Sequence, residues 1–179
     1  MILIVRESDH PILIGDKNLS IDLTEYQRRV ATVSSHSIKP VPDKRRKSHI
    51  VGQIGHLLMV DLLINTGWKI LGHSLGRGTS PLVQEDPVDF IEREAELTVS
   101  EEQKNFLRRE TCGLPGLRSV GDLLIAKKGI FVIVEVKSSM KDTNAFYLSI
   151  NEYITYNEAC KFRIPVKFAL IKFLEKIYI

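Results

Sequence analysis

The chain has 179 residues, of which 44% are hydrophobic and 26% are charged, and its formal net charge is +3. This length predicts one globular domain, with an appended piece, that is long enough to bury an ordinary hydrophobic core. No apolar run reaches the roughly 18 residues that a membrane span requires, and the N-terminus lacks the basic segment and cleavage site of a secretory signal. The cysteines are isolated and the histidines have no zinc-ligand spacing, so we expect a cytoplasmic, intracellular protein with reduced thiols.

Residues 1–47 are expected to form an N-terminal appendage that ends in a basic linker. Turn, capping-box and proline signals predict three elements in it: a short hairpin over 2–5 and 12–14, a helix over about 24–35, and an extended break at 39–42. The basic run Lys44, Arg45, Arg46 and Lys47 follows directly. Its charges suit contact with phosphates, and the alternative is a merely solvated linker.

A core is expected over residues 48–179, beginning with the helical stretch SHIVGQIGHLLMVDLLINTGW. Residues 68–71 then predict a strand. Ser100 and Gln103 form a capping-box pattern that predicts a second helix, which ends at about Glu110.

Two apolar strands joined by a tight turn are the most informative feature of the chain. Residues 123–126 and 130–134 are rich in β-branched side chains, and the Lys-Lys-Gly between them predicts a hairpin turn. Asp122 opens the first strand and Glu135 ends the second, so antiparallel pairing would bring their carboxylates side by side. Lys137 lies two residues after Glu135 and therefore projects from the same face of its strand.

Two neighbouring carboxylates and a lysine suit metal-assisted chemistry on a phosphate. Paired carboxylates bind a hard cation such as Mg²⁺ or Mn²⁺ through oxygen, and a lysine beside them orients a water or offsets charge on a phosphate. The alternative is an ordinary solvated ion pair. Five apolar residues precede Glu135, so Glu135 and Lys137 emerge from a buried strand, which favours a functional site.

The pattern Ser149-x-x-Glu152 predicts the start of a third helix. We favour a capping role for Glu152, which is compatible with a place beside the site if the helix N-terminus faces a phosphate. Tyr153 and Tyr156 have helical spacing, and we interpret them as packing residues rather than base-stacking platforms. The closing stretch VKFALIKF predicts a strand of the core sheet.

The set Asp122, Glu135 and Lys137 resembles the signature of the PD-(D/E)xK nuclease superfamily, in which an acid on one strand precedes Glu-x-Lys at the end of the next. Its spacing is similar to that of archaeal Holliday-junction resolvases. The segment after it resembles the same segment in Mrr-type nuclease domains and in domains related to the plant NO VEIN C-terminus. The resemblance covers residues 48–75 and 118–174.

The resemblance implies an α/β restriction-endonuclease-like fold, with a central mixed β-sheet flanked by helices. It also implies a Mg²⁺-dependent or Mn²⁺-dependent endonuclease that hydrolyses DNA, with a selectivity for DNA structure like that of the resolvases, and that forms a homodimer. Asp122 and Glu135 would hold the metal together with the carbonyl of Val136, and Lys137 would position the attacking water. The expected nucleic-acid contacts, besides the basic run at 44–47, are Arg77, Ser80 and Lys141.

One position departs from the family pattern. These nucleases carry a Glu on the first core helix, and the matching residue here is His56, which follows Gly55. A neutral imidazole can ligate a metal or bond a phosphate but brings no negative charge, and a purely structural histidine is the alternative. Residues 82–117 form an insertion relative to the resolvases, and its acids are further candidates for the missing carboxylate: Asp86, Asp89 and Glu94.

Two other functions stay open on the sequence alone. The chain could be a catalytically impaired nuclease-fold module that only binds DNA, because His56 stands where an acid is expected. The presence of both Asp122 and Glu135 favours the enzyme, since a module that only binds DNA needs neither. An RNA nuclease is the other alternative, because contacts to phosphates do not distinguish the sugars.

Overall fold

The structure, a computed structural model, describes residues 2–4, 17–18, 24–26, 28, 43–73, 86–111, 121–140 and 146–173. Within these ranges the strands are β1 (Ile2–Ile4), β2 (Lys17–Asn18), β3 (Lys69–His73), β4 (Leu123–Lys127), β5 (Ile130–Ser139) and β6 (Val166–Lys172). The long helices are α1 (Asp43–Asn65), α2 (Pro87–Ala95), α3 (Glu101–Thr111) and α4 (Ile150–Lys161). The protein is therefore of the α/β class, with a mixed sheet and flanking helices.

The chain divides into two compact units, and β5 and β6 run through both of them. The first unit comprises Met1–Met59, Val136–Phe146 and Phe168–Ile179, and the second comprises Val60–Glu135 and Tyr147–Lys167. In the second unit the Ile133 N–H donates to the Pro165 carbonyl over 2.9 Å, and in the first the Phe173 N–H donates to the Ser139 carbonyl over 2.8 Å. The bonded residues advance together along both strands, so β5 and β6 are parallel.

The β4–β5 hairpin has the form that the sequence predicts. The two strands pair antiparallel from Leu123 opposite Val134 down to Lys127 opposite Ile130, with a two-residue turn between them. Gly129 in that turn has a φ of 82°, in the left-handed region that glycine adopts without steric cost. β4 then pairs antiparallel with β3 on its other side. Most residues of β4 are buried, as a continuous apolar run predicts for a strand covered on both faces.

The predicted insertion at 82–117 contributes two helices to the second unit. α3 begins at the predicted capping box: the Ser100 N–H donates to Gln103 Oε1 over 3.1 Å, and the Gln103 N–H donates to the Ser100 hydroxyl over 3.3 Å. α2 was not predicted, although Asp86 before Pro87 is a strong helix-start signal. The pair of helices is part of the core of this unit and not a surface loop. Their apolar faces are buried through Val88, Phe90, Ile91, Phe106 and Leu107.

The start of α1 corrects one sequence-based expectation. The helix begins at Asp43, five residues before the predicted Ser48, so the basic run 44–47 lies in its first turns and not in a linker. Lys and Arg are good helix formers. Proline has no N–H and disfavours a helical conformation at the residue before it, so a helix that starts next to Pro42 and not earlier is expected. At the other end, Gly67 has a φ of 83° and ends the helix in the usual left-handed conformation.

In the first unit, β1 lies between β2 and β6 and pairs antiparallel with both. The predicted strand over 2–5 is present as β1, but its hairpin partner is β2, with Leu3 opposite Lys17. Residues 12–14, which were predicted to pair with it, lie outside the described residues. Of the helices that the structure describes, none combines the length and the hydrophobicity needed to cross a membrane.

Candidate metal and phosphate site

Asp122 and Glu135 flank the last registered pair of the β4–β5 hairpin. That pair is Leu123 opposite Val134, so Asp122 precedes it on the chain before β4 and Glu135 follows it on β5. The Asp122 N–H also donates to the Val134 carbonyl over 2.9 Å. Both acids belong to the second unit, and the antiparallel hairpin predicted between them is present. The predicted meeting of their carboxylates stays a prediction.

Gly121 fixes the main chain immediately before Asp122. Its φ of 68° lies in the left-handed region. A Cβ added to it would lie 2.6 Å from Cγ2 of Ile133 and 3.1 Å from the carbonyl oxygen of Val134. Glycine alone combines this φ with so close an approach, so Gly121 allows Asp122 to lie against β5.

Tyr156 of α4 contacts Glu135 directly. Glu135 is 6% exposed, and its Oε2 accepts a hydrogen bond of 2.5 Å from the Tyr156 hydroxyl, which is also buried. From the sequence we interpreted Tyr153 and Tyr156 as packing residues. Tyr156 is buried, and its hydroxyl also bonds Glu135. Tyr153 is 62% exposed, so the packing interpretation is wrong for it. Tyr156 lies four residues after Glu152, on the same helix face, but this spacing gives no link to Glu135.

The charges of three carboxylates act on the Tyr156 hydroxyl. Burial raises the pKa of that hydroxyl most, the hydrogen bond and charge of Glu135 raise it further, and the charges of Glu152 and Asp122 add to the effect. Tyr156 therefore stays protonated and acts as a donor to Glu135. Among the residues that the structure describes, no three His, Cys, Asp or Glu side chains are grouped so that they could hold a metal by themselves.

Glu152 has the capping role that we favoured. The Ser149 N–H donates to Glu152 Oε2 over 2.5 Å, and the Glu152 N–H donates to the Ser149 hydroxyl over 3.2 Å. This is a complete capping box at the first turn of α4. The prediction from Ser149-x-x-Glu152 is thus confirmed for the helix start.

Lys137 and Val136 continue β5 beyond Glu135. Both residues are partly buried, and strand alternation places Lys137 on the same face as Glu135. The Val136 carbonyl belongs to the main chain between the acid and the lysine. The three consecutive residues therefore supply a carboxylate, a carbonyl and an ammonium group along one short segment of strand.

His56 lies on α1, which packs closely against the other face of β5. A Cβ added to its neighbour Gly55 would overlap the hydroxyl of Ser138, and it would lie 3.5 Å from Cδ1 of Ile171. Ser138 alternates with Lys137 along the strand, so its side chain points to the opposite face. His56 itself is buried. Its predicted place beside the two acids stays a prediction.

The acids of the predicted insertion have structural contacts of their own. Asp86 caps α2 by accepting from the Val88 N–H over 2.8 Å, and its other oxygen bonds Arg108 Nε over 2.8 Å. Burial opposes ionisation of Asp86, but these two contacts outweigh it, so the pKa of the carboxyl lies below its usual value. Glu94 bonds Arg93 Nε over 2.9 Å, and Asp89 is exposed on α2.

The predicted nucleic-acid contacts are only partly described. The basic run Lys44, Arg45, Arg46 and Lys47 occupies the first turns of α1. Arg77, Ser80 and Lys141 lie outside the residues that the structure describes. Their predicted phosphate contacts therefore stay predictions.

Comparison of the chain with family models, with curated proteins and with solved structures finds no match. The resemblance to PD-(D/E)xK nucleases therefore depends on the motif and on the geometry of this chain alone.

Proposed function

We propose that the protein is a metal-dependent nuclease of the PD-(D/E)xK, restriction-endonuclease-like type that hydrolyses DNA phosphodiester bonds. The observation that carries the proposal is that Asp122 and Glu135 flank the last registered pair of the hairpin, with the Asp122 N–H bonded to the Val134 carbonyl and Glu135 followed by Val136 and Lys137 on β5. Burying a carboxylate costs free energy, and Glu135 is buried with a hydrogen bond from Tyr156. The pKa of the Tyr156 hydroxyl is raised, and groups with perturbed pKa values in such surroundings cluster at functional sites.

The residues present fit a divalent cation with oxygen ligands. Mg²⁺ in proteins is commonly held by one or two carboxylates and several waters, and it does not need a cage of protein ligands. Asp122 and Glu135 would supply the carboxylates, and the Val136 carbonyl is an additional oxygen. When bound, Mg²⁺ or Mn²⁺ polarises a phosphate and lowers the pKa of a water.

The side chains of the site divide the remaining work. Tyr156 donates to one oxygen of Glu135 and so fixes the carboxylate in one orientation. Lys137 adds a positive charge on the same face, where it can orient the attacking water and stabilise charge that develops on the phosphate.

The position of the basic run at the N-terminus of α1 favours an anionic partner. Four positive side chains in the first turns of a helix oppose the helix dipole, whose positive end lies there. A phosphate at that end would offset both the dipole and the side-chain charges. This is the contribution that Lys44–Lys47 would make to DNA binding.

A catalytically impaired DNA-binding module is the second candidate function. This function is favoured by position 56, where the family pattern has an acid and this chain has a histidine. The neighbouring Gly55 also packs on the face of β5 opposite to Lys137. Such a module would bind DNA without needing a divalent cation. Metal-dependent cleavage therefore separates the two functions. An RNA substrate in the same assay tests the other alternative, an RNA nuclease.

The deciding experiment is incubation with labelled duplex, single-stranded, flap and four-way-junction DNA and with RNA, in Mg²⁺, in Mn²⁺ and in EDTA. We expect cleavage in the two metals and none in EDTA. Glu135→Gln, which keeps the shape of the side chain, should abolish cleavage, while Glu101→Gln at the exposed start of α3 should not. Binding without cleavage by the wild-type protein in either metal would instead support the binding module.

A further inference from the structure

The outer face of α4 exposes large aromatic and aliphatic side chains. Ile150 is 74% exposed and Tyr153 is 62% exposed, and Ile154 is exposed as well. Tyr147, just before the helix, is 91% exposed. A group of such residues on one helix is a candidate interaction site, because the largest apolar patch on a monomer is often functional.

The face is continuous and lies away from the one that carries Tyr156. Ile150, Tyr153 and Ile154 are spaced three and four residues apart, so their side chains share one face. One and two turns further along the same face are Asn157 and Lys161, both exposed. The outer face of α4 is therefore apolar and aromatic in its first half, and polar and cationic in its second.

The negative charges of α4 are held by other contacts. Glu152 is bonded within the capping box, and Glu158 bonds Arg109 over 2.8 Å. Lys161 and Arg163 are exposed at the C-terminal end of the helix. The outer face therefore presents positive charge beside apolar and aromatic side chains. This combination is complementary to a polyanion that also carries flat aromatic rings.

The size of the face argues against a second copy of this chain as its occupant. The four exposed side chains present on the order of 500 Å², which is within the range of about 300–600 Å² for the largest apolar patch on an ordinary monomer. Each partner of a stable dimer buries about 800 Å². A narrow ligand that covers one helix face fits the area better than a dimer interface does.

We infer that the outer face of α4 binds the unpaired bases of a single-stranded stretch of nucleic acid, with Tyr147 and Tyr153 as stacking platforms and Lys161 beside a phosphate. Bases within a duplex are already stacked on each other, so only unpaired bases can use these rings. The inference rests on the proposed function and makes it more specific. The substrate is a nucleic acid with a single-stranded region next to the scissile bond, because α4 also carries the tyrosine that holds Glu135.

The test is fluorescence anisotropy in EDTA, where cleavage cannot occur, with a labelled single-stranded oligonucleotide and the matching duplex. Tyr153→Ala should weaken single-strand binding by about 5- to 100-fold, the range for loss of one stacked base, and leave duplex binding unchanged. Tyr153→Phe keeps the ring and should bind within about twofold of the wild type. Ile64→Ala removes an equally exposed apolar side chain elsewhere in the second unit and should have no effect.

The outcomes separate this inference from the proposed function. If Tyr147→Ala and Tyr153→Ala bind single strands like the wild type while the wild type binds duplex, the inference is wrong and the nuclease proposal stands. If the wild type binds no nucleic acid, both are wrong. A dimer in sedimentation that Ile150→Asp dissociates, with unchanged single-strand affinity, would make the face an interface between copies and overturn the inference.

Discussion

The hydroxyl of Tyr156 donates a hydrogen bond of 2.5 Å to Oε2 of Glu135, and both groups are buried. The bond joins α4 to the middle of β5, which continues to Ser139 and does not end at Glu135 as the sequence predicted. It also explains how a carboxylate is retained where water has little access, since a hydrogen bond to an ionised group offsets part of the cost of burying it. Stability and the proposed chemistry therefore depend on the same contact.

Tyr156→Phe tests this contact with the smallest possible change. Removing the donor leaves a buried carboxylate oxygen without that bond, so we expect a loss of about 1.5–3 kcal/mol in the free energy of unfolding. Tyr153→Phe removes an exposed hydroxyl from the same helix and should change stability by less than about 0.5 kcal/mol. Urea unfolding of the three proteins at neutral pH measures both values, and equal losses would contradict the assigned role of Tyr156.

The next prediction concerns catalysis. Asp122→Ala, Glu135→Ala and Lys137→Ala should each abolish metal-dependent cleavage while DNA binding is largely kept, because phosphate affinity comes mostly from other basic residues. Lys128→Ala removes an exposed lysine from the hairpin turn, where it pairs with Glu96, and should cut normally. Cleavage rates with saturating metal and DNA affinities in EDTA provide the comparison. Cleavage at the wild-type rate by all three site variants would place the active site elsewhere.

The glycine before Asp122 offers a test of the close approach between the two strands. Gly121→Ala adds a Cβ that meets the side chain of Ile133, at a φ where any non-glycine residue is already strained. Gly129→Ala has the same kind of strain, with a φ of 82°, but nothing lies within 4 Å of the added Cβ. We expect about 1 kcal/mol of destabilisation for Gly129→Ala from the backbone alone, and clearly more for Gly121→Ala. Thermal unfolding decides, and equal shifts in Tm would show that the β4–β5 approach tolerates a methyl group.

Local chemistry explains which parts of this protein could be predicted. The hairpin turn at Gly129 and the capping boxes at Ser100 and Ser149 are set by residues that are neighbours in sequence, and each was found as predicted. The bond from Tyr156 to Glu135 joins residues that are 21 positions apart, and only the packing of α4 on the sheet creates it. Sequence spacing alone therefore gave the two acids but not the tyrosine that holds one of them.

A similar limit applies to the first residues and to the charged segments. The pairing of β1 with β2 depends on where the intervening chain returns, which no local pattern specifies. The basic run 44–47 was interpreted as a linker because charge predicts exposure but not backbone conformation. The sequence analysis did not predict α2, because it interpreted Asp86 only as a candidate carboxylate. Asp86 followed by Pro87 is also a signal for the start of a helix.

The ion pair that anchors α2 predicts a pH dependence of stability. Burial works against ionisation of Asp86, but Arg108 and the N–H groups at the start of the helix lower the pKa of the carboxyl below its usual value. The unfolded carboxyl titrates near pH 3.9, so the stabilisation is fully present above that pH and is lost as the pH falls through the lower, folded value. The side chains are partly exposed, so the effect should be well under about 1 kcal/mol.

Asp86→Asn keeps a good capping residue and removes the charge, which isolates the ion pair from the cap. Its deficit in the free energy of unfolding should be present at pH 7 and vanish near pH 2. Arg108→Gln should show the same deficit, and the double variant should lose no more than either single variant. A deficit that is independent of pH would show that Asp86 acts through the cap alone.

The last prediction concerns His56, where the chain departs from the family pattern. Its neighbour Gly55 lies against Ser138, on the face of β5 opposite to Lys137, and His56 is buried. This packing favours a structural histidine, so we expect His56→Ala to lower Tm with little effect on turnover per folded molecule. If His56 instead ligates the metal or bonds the phosphate, His56→Ala should cut activity strongly, and His56→Glu should raise metal affinity by adding a negative charge.

Turnover against metal concentration, corrected for the folded fraction, separates these outcomes for wild type, His56→Ala and His56→Glu. Gly52→Ala is the matched control on the same helix: nothing lies within 4 Å of its added Cβ, so it should stabilise α1 by about 0.5–1 kcal/mol and leave turnover unchanged. Three overlapping turnover curves would confirm a structural His56, and the site would then depend on Asp122 and Glu135 as its side-chain ligands among the described residues. A curve for His56→Glu shifted to lower metal concentration would make position 56 the third ligand.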